Sequence, residues 1–246
     1  VRNLTIDIGN TLAKLAVFEY GEEIYFKTFT LENFSEKLKN ILKEYSKITN
    51  LIISSVSKNV KTLLEEVPKH IQVLELSATT PVPFRNLYKT PQSLGIDRIA
   101  LVVGAVKEYI DKDVLIIDAG TCITYDIVTK KKEYLGGVIS PGVNMRLHAM
   151  HNFTSKLPLV SITDEINDNI IGTTTQENLR IGAVMGTVME IDGFIDRYKL
   201  QYQDLTVILT GGDSQLLSKK VKNSIFAPYN FLLKGLNHIL EFNTTK

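Results

Sequence analysis

Three aspartates, each within two residues of a glycine, carry the chemistry this sequence offers. They are Asp7 in Asp7-Ile8-Gly9-Asn10-Thr11, Asp118 in Asp118-Ala119-Gly120-Thr121, and Asp97 in Gly95-Ile96-Asp97-Arg98. A glycine turn between two strands lets backbone N–H groups reach phosphate oxygens with no Cβ in the way. Asn10 and Thr11 add side-chain donors there, and Lys14 a positive charge. An Asp at the end of such a strand can orient a magnesium-bound water, because Mg2+ keeps most of its hydration and takes few carboxylates. Alone, the first segment is equally a plain hairpin turn, for which Gly and Asn are well suited.

The second turn changes that balance. Two opposed turns could hold a triphosphate from both sides, and carboxylates converging on polyphosphate require cations between them. A third turn, Thr210-Gly211-Gly212, precedes a helix and gives a nucleotide backbone to pack against. No GxxxxGKS/T and no GxGxxG pattern occurs, which leaves the P-loop and dinucleotide routes with little support. Asp97 and Arg98 fall in the first turn of an apolar helix. An acid there complements the helix dipole, and it could equally accept a proton from a substrate hydroxyl during phosphoryl transfer. Arg98 would offer its planar fork to a carboxylate or a phosphate.

The elements that must position these groups come in two similar runs. Strands are expected at 3–9, 12–19 and 24–29, a helix at 33–46, a strand at 51–56, a short helix at 61–67 and a strand at 71–76. After an irregular loop with Pro81 and Pro83 comes a helix over 94–109. Then Leu115-Ile116-Ile117-Asp118-Ala119-Gly120 echoes Leu4-Thr5-Ile6-Asp7-Ile8-Gly9. A strand at 121–128, the polar tip Lys130-Lys131-Lys132, a third strand through 136–142, a long helix at 175–198, a strand at 206–209 and a last helix at 231–241 follow. Two βββαβα units predict an α/β chain of two similar lobes, 1–110 and 111–246, facing each other across a cleft; a single-domain α/β fold is the alternative.

Composition narrows the function. With 28 basic and 27 acidic residues the chain has no basic excess, so no nucleic-acid partner is expected. No stretch approaches the roughly 20 apolar residues of a membrane span. A strand beginning at residue 4 leaves no room for a secretory signal, and Cys122 is the only cysteine; both point to the cytoplasm. Cys122 is expected to be a small buried residue, and Met145, Met150, Met185 and Met189 to fill core or subunit contacts. His148 and His151 lie one helical turn apart without a third metal ligand.

Taken together, the segments DIGNT (7–11), YKTPQSLGIDR (88–98), DAGT (118–121), GGVISPG (136–142), KLP (156–158), GTTT (172–175), TGG (210–212) and LKGL (233–236), with Thr124 and Asp126, resemble the type III pantothenate kinases. These form a branch of the acetate kinase, sugar kinase and actin superfamily. The resemblance spans nearly the whole chain. It implies two ribonuclease H-like (actin-like ATPase) lobes flanking a central nucleotide cleft, and ATP-dependent phosphorylation of pantothenate to 4'-phosphopantothenate in coenzyme A biosynthesis. Asp7, Ile8, Gly9, Asn10, Thr11, Leu12, Ala13 and Lys14 would bind ATP phosphates, joined by Thr121. Tyr88, Gly95, Ile96, Asp97 and Arg98 would bind pantothenate, with Asp97 as general base and Thr175 reaching the site across a homodimer interface. Asp118 would hold the required monovalent cation, K+ or NH4+, and Mg2+ would accompany ATP.

Thr90 stands where that family usually has Asn, and Thr173-Thr174 where Lys-Asn is commoner. A hydroxyl replaces only part of an amide's hydrogen bonding, so substrate affinity could differ. Rival readings are a sugar or carboxylic-acid kinase of the same superfamily, a transcriptional accessory factor that kept the kinase fold, and a ribonuclease H-like nuclease.

Overall fold

The computed structural model describes residues 1–9, 12–55, 63–162, 170–222, 225–226 and 230–244. It divides into two compact units: Val1–Ile110 with Lys132–Tyr134 and Asn230–Lys246, and Asp111–Lys131 with Leu135–Tyr229. The first unit contains strands β1 (Arg2–Ile8), β2 (Leu12–Glu19) and β3 (Glu22–Thr30), helix α1 (Phe34–Glu44), strands β4 (Ile48–Ser55), β5 (Gln72–Glu75) and β6 (Arg85–Asn86), and helix α2 (Ile96–Glu108). Its sheet runs β3-β2-β1-β4-β5, antiparallel within the β1-β2-β3 meander and parallel from β1 to β4 and β5.

Alternation along β1 decides what each face does. Leu4, Ile6 and Ile8 enter one core with Phe34, Leu38 and Ile41 of α1. Asn3, Thr5 and Asp7 point to the opposite face, so the strand delivers Asp7 away from that core. The expected helix over 61–67 begins outside the described residues. Its remainder holds two turns, with Glu66 N–H donating to Leu63 O and Val67 N–H to Leu64 O.

The second unit repeats the plan with β7 (Val114–Ala119), β8 (Cys122–Val128), β9 (Glu133–Pro141), α3 (Val143–Asn152), α4 (Thr175–Lys199), β10 (Thr206–Thr210), the five-residue α5 (Ser214–Ser218) and β11 (Ile225–Phe226). The second sheet has six strands in the order β6-β9-β8-β7-β10-β11, and its run β9-β8-β7-β10-β11 matches β3-β2-β1-β4-β5 position for position. Leu115, Ile117 and Ala119 enter a core with Leu179, Val184, Val188 and Ile191 of α4. By the same alternation, Asp118 lies on the other face. The first two residues of β9, Glu133 and Tyr134, belong to the first unit, where they pair with β6.

Three expectations change. The C-terminal helix α6 (Phe231–Thr244), expected in the second lobe, packs with α2 in the first unit. There Phe231, Leu233, Leu236, Ile239 and Leu240 bury an apolar face, and the two helices approach closely enough that a Cβ on Gly235 would lie 2.0 Å from Ala100 O. Helix α2 starts at Ile96 rather than residue 94, because Leu94 and Gly95 keep extended ψ angles of 128° and 131°. Cys122, expected to be buried, is exposed at the first position of β8. Of the methionines expected in core or subunit contacts, Met150 packs on the second core, and Met145 and Met189 are exposed in the single chain.

Candidate functional site

In the first unit the acidic turn is built on the β1–β2 hairpin. Asp7 pairs with Lys14 and Ile8 with Ala13, and Gly9 N–H donates to Leu12 O at 3.0 Å. Asn10 and Thr11 lie outside the described residues. Ile8 and Ala13 turn their side chains into the protein, leaving only their backbone for a ligand, while Leu12 is exposed. On its other side Asp7 lies beside Ser54 in the parallel β1–β4 pair. Burial pushes the Asp7 carboxyl up to about 6, Lys14 and a hydrogen bond from Ser54 oppose that shift, and Asp97 adds to it. Asp7 and Asp97, ninety residues apart in sequence, are therefore electrostatic neighbours.

Asp97 is seated by its helix and by the absence of a side chain at Gly95. Its Oδ1 accepts the Arg98 N–H at 2.8 Å in the first turn of α2. A Cβ on Gly95 would stand 2.4 Å from that same oxygen. Gly95 thus clears the space into which the carboxylate folds. The buried Arg98 guanidinium lies over the Tyr88 ring, 5.7 Å from its centroid. Tyr88 stacks in turn on the buried Tyr134, at 6.1 Å and 29°. Its backbone N–H is fixed by Asn86 Oδ1 at 2.9 Å. Tyr88, Gly95, Ile96, Asp97 and Arg98 thus lie in one unit with Asp7 and Lys14.

The second unit assembles Asp118, Gly120 and Thr121 at the equivalent hairpin. Asp118 pairs with Thr124, and Gly120 N–H donates to Cys122 O at 3.0 Å. Here one residue, Thr121, links Gly120 to Cys122, where two link Gly9 to Leu12. Thr121 is exposed. Two further glycines close on this turn. A Cβ on Gly142 would lie 2.1 Å from Gly120 O, and one on Gly211 would lie 2.4 Å from both Ala119 O and Asp118 Oδ1. Gly211 also has φ +96°, a conformation most side chains avoid. Thr124 Oγ1 is buried and, among the described residues, has no hydrogen-bond partner. It sits directly across the strand pair from Asp118, on the same face of the sheet.

Thr175 lies in the second unit, exposed, as the first residue of α4. The preceding threonines serve that helix. Thr174 Oγ1 accepts the Glu177 N–H at 3.2 Å, and Glu177 Oε2 receives the N–H groups of Thr173 and Thr174 and the Thr173 hydroxyl. This is a capping box. Thr90 likewise has a local partner, receiving the Ser93 hydroxyl at 2.9 Å. His151 Nδ1 contacts Leu157 O at 2.8 Å. Among the described residues no group of three or more His, Cys, Asp or Glu side chains is placed to hold a metal. No helix among them is long and apolar enough to cross a membrane. Ser54 and the polar cluster around Glu190 were not singled out by sequence reasoning.

The model of the type III pantothenate kinase family matches residues 3–197. The chain is 48% identical over 244 residues to the type III pantothenate kinase of Christiangramia forsetii, covering 99% of this chain and all of that one. It is 43% identical to that of Flavobacterium psychrophilum, covering 97% and 98%. In fold it resembles a candidate Baf family transcriptional activator from Campylobacter jejuni (TM-score 0.67, 22% identity, 99% and 100% covered). A ROK family glucokinase from Streptomyces griseus, solved with glucose and AMPPNP, is similar at TM-score 0.55 and 11% identity, with 98% and 100% covered.

The shifted carboxyl makes a prediction about stability. In the unfolded chain Asp7 titrates near 3.8, and in the folded chain near 6, so the folded state binds more protons between those values. Stability therefore falls as pH rises through that window. Asp7→Asn removes the penalty. In thermal unfolding it is expected to exceed the parent by roughly 3 kcal/mol at pH 7.5, with the two converging below about pH 4. A variant less stable than the parent at pH 7.5 contradicts the assignment.

Proposed function

Because the chain belongs to the type III pantothenate kinase family and is therefore a kinase, we propose that it transfers the γ-phosphoryl group of ATP to the hydroxyl of pantothenate, giving 4'-phosphopantothenate and ADP. This is the first committed chemistry of coenzyme A synthesis. The hydroxyl oxygen attacks the γ-phosphorus, the bond to the β–γ bridging oxygen breaks, and the hydroxyl proton passes to Asp97. The observation that carries the base role is the seating of Asp97. Its Oδ1 is engaged by the Arg98 N–H, which leaves Oδ2 to accept the substrate proton. A loose transition state leaves proton removal late, so a carboxylate suffices.

Arg98, held against Tyr88, takes the pantothenate carboxylate, with Tyr88, Gly95 and Ile96 beside it. The backbone of residues 8–13, the side chains of Asn10 and Thr11, and Lys14 take ATP phosphates, and Thr121 contacts the nucleotide. A kinase of this family uses ATP with a metal. Asp7 fits a position beside a hydrated Mg2+, since its carboxyl is buried next to a second acid and a cation would offset the cost of its buried charge. Asp118 and the unpartnered Thr124 hydroxyl are an oxygen pair suited to K+ or NH4+. When bound, such cations would supply neutralisation of phosphate charge.

Thr175 reaches pantothenate from a partner subunit. Sedimentation should give a homodimer; a monomer at working concentration would remove Thr175 from the site.

The decisive test of the chemistry is a coupled ADP-release assay. ADP release should depend on pantothenate and exceed that with sugars or other hydroxy acids. Asp97→Asn should lower kcat about 10²-fold or more, the range for losing a general base. Replacing K+ or NH4+ with Na+ should slow the parent. Near-parental turnover in Asp97→Asn, or equal rates in the two salts, would remove the corresponding assignment.

A further inference from the structure

The segment Ser140-Pro141-Gly142 has no part in the reaction as written, yet it lies against the Asp118–Thr121 turn more tightly than packing alone requires. Gly142 N–H donates to Thr121 O at 3.1 Å, and its Cα presses on Gly120 O so closely that no side chain fits. Upstream, Gly137 makes the same kind of approach to the Tyr125 carbonyl, where a Cβ would fall 1.5 Å from the oxygen.

A single carboxylate gathers the groups that hold this segment down. Glu190, midway along α4, accepts from Ser140 Oγ at 2.5 Å and from the buried Tyr125 hydroxyl at 2.9 Å through Oε1. Its Oε2 accepts from Arg146 Nη2 at 2.5 Å. Arg146, from α3, spends its Nε on Pro141 O at 2.9 Å, while its own N–H bonds Gly142 O at 3.0 Å. Burial alone would raise the Glu190 carboxyl, but the hydrogen bonds from Ser140, Arg146 and Tyr125 outweigh it and hold the group below its ordinary value. Glu190 is therefore an anion at neutral pH, and its bonds are charge-assisted.

We propose that Glu190 is a positioning residue for the nucleotide turn: through Ser140 and Arg146 it fixes residues 140–142, and these fix the backbone of Gly120 and Thr121. The chain of contacts is Glu190 to Arg146, Arg146 to Pro141, and Gly142 to Thr121. Every link is a hydrogen bond within the second unit. Glu190 touches no reacting atom in this scheme. It acts on the placement of the turn that, in the reading above, contacts ATP, and so it rests on that reading.

The test is steady-state kinetics of Glu190→Gln and Arg146→Lys in the full-length enzyme. Gln keeps the shape but not the charge that draws in Arg146. Lys keeps the charge but cannot reach both Glu190 and Pro141 O with a fork. Both variants should raise KM for ATP about tenfold and leave KM for pantothenate within about twofold, the scale of losing an outer-shell partner. A merely structural role would lower Tm and leave the ratio of the two KM values unchanged, which would overturn the proposal. Should Glu190→Gln not fold, Arg146→Lys gives the same readout. Thr121→Ala separates the two layers. If it leaves KM for ATP at the parental value, the reading of the turn fails and this proposal with it. If it raises KM for ATP while Glu190→Gln and Arg146→Lys do not, the Glu190 proposal alone fails.

Discussion

A carboxylate at the end of a buried strand is the constraint around which the first unit is organised. Asp7 is carried there by β1, whose alternate residues Leu4, Ile6 and Ile8 commit the other face to the core. Its charged form has lost much of its hydration, and Asp97 disfavours it further. Lys14 across the hairpin and Ser54 on the adjacent strand compensate only in part, since the group still titrates near 6. An arrangement of this kind costs stability and persists where something else completes the charge balance. A metal-bound polyphosphate would do so in the proposed reaction, which would tie the fold to phosphoryl transfer.

The second constraint is close approach of backbone to backbone. Gly95 leaves room for the Asp97 carboxylate, Gly142 for the carbonyl of Gly120, and Gly211 for Asp118. At each, a single methyl group would displace an atom of the proposed site. The same device joins α2 to α6 at Gly235 and Ala100, which fixes the helix whose first turn carries Asp97. Positioning here comes from excluded volume as much as from hydrogen bonds.

Much of this was legible in the sequence because the signals were local. Alternation in residues 3–9 and the echo at 115–120 predicted two sheets of like plan, and the observed strand orders match position for position. Asp97 at a helix start was legible from the apolar run after it. What escaped depended on register or on distant packing. Ser54 is an unremarkable serine until the parallel β1–β4 register sets it beside Asp7. Glu190 is one acid within a long helix, and nothing in its neighbourhood announces Tyr125, Ser140 or Arg146. The place of α6 in the first unit could not be read from chain order. Thr174 and Glu177 are different. Their Thr-x-x-Glu spacing is a helix-start signature, and it explains these threonines more directly than a change in substrate affinity.

In the proposed reaction Asp7 is a buried carboxylate whose unfavourable charge would be offset by a cation arriving with the nucleotide. Carboxyl-carbon NMR of aspartate-labelled enzyme, with Asp7→Asn to assign the signal, reads this directly. The free enzyme should show Asp7 titrating near 6. A non-hydrolysable ATP analogue with Mg2+ should bring it down toward the ordinary value of about 4, whereas the analogue with chelator should not. An Asp7 that titrates near 4 in the free enzyme, or that ignores the metal-bound nucleotide, would contradict the account.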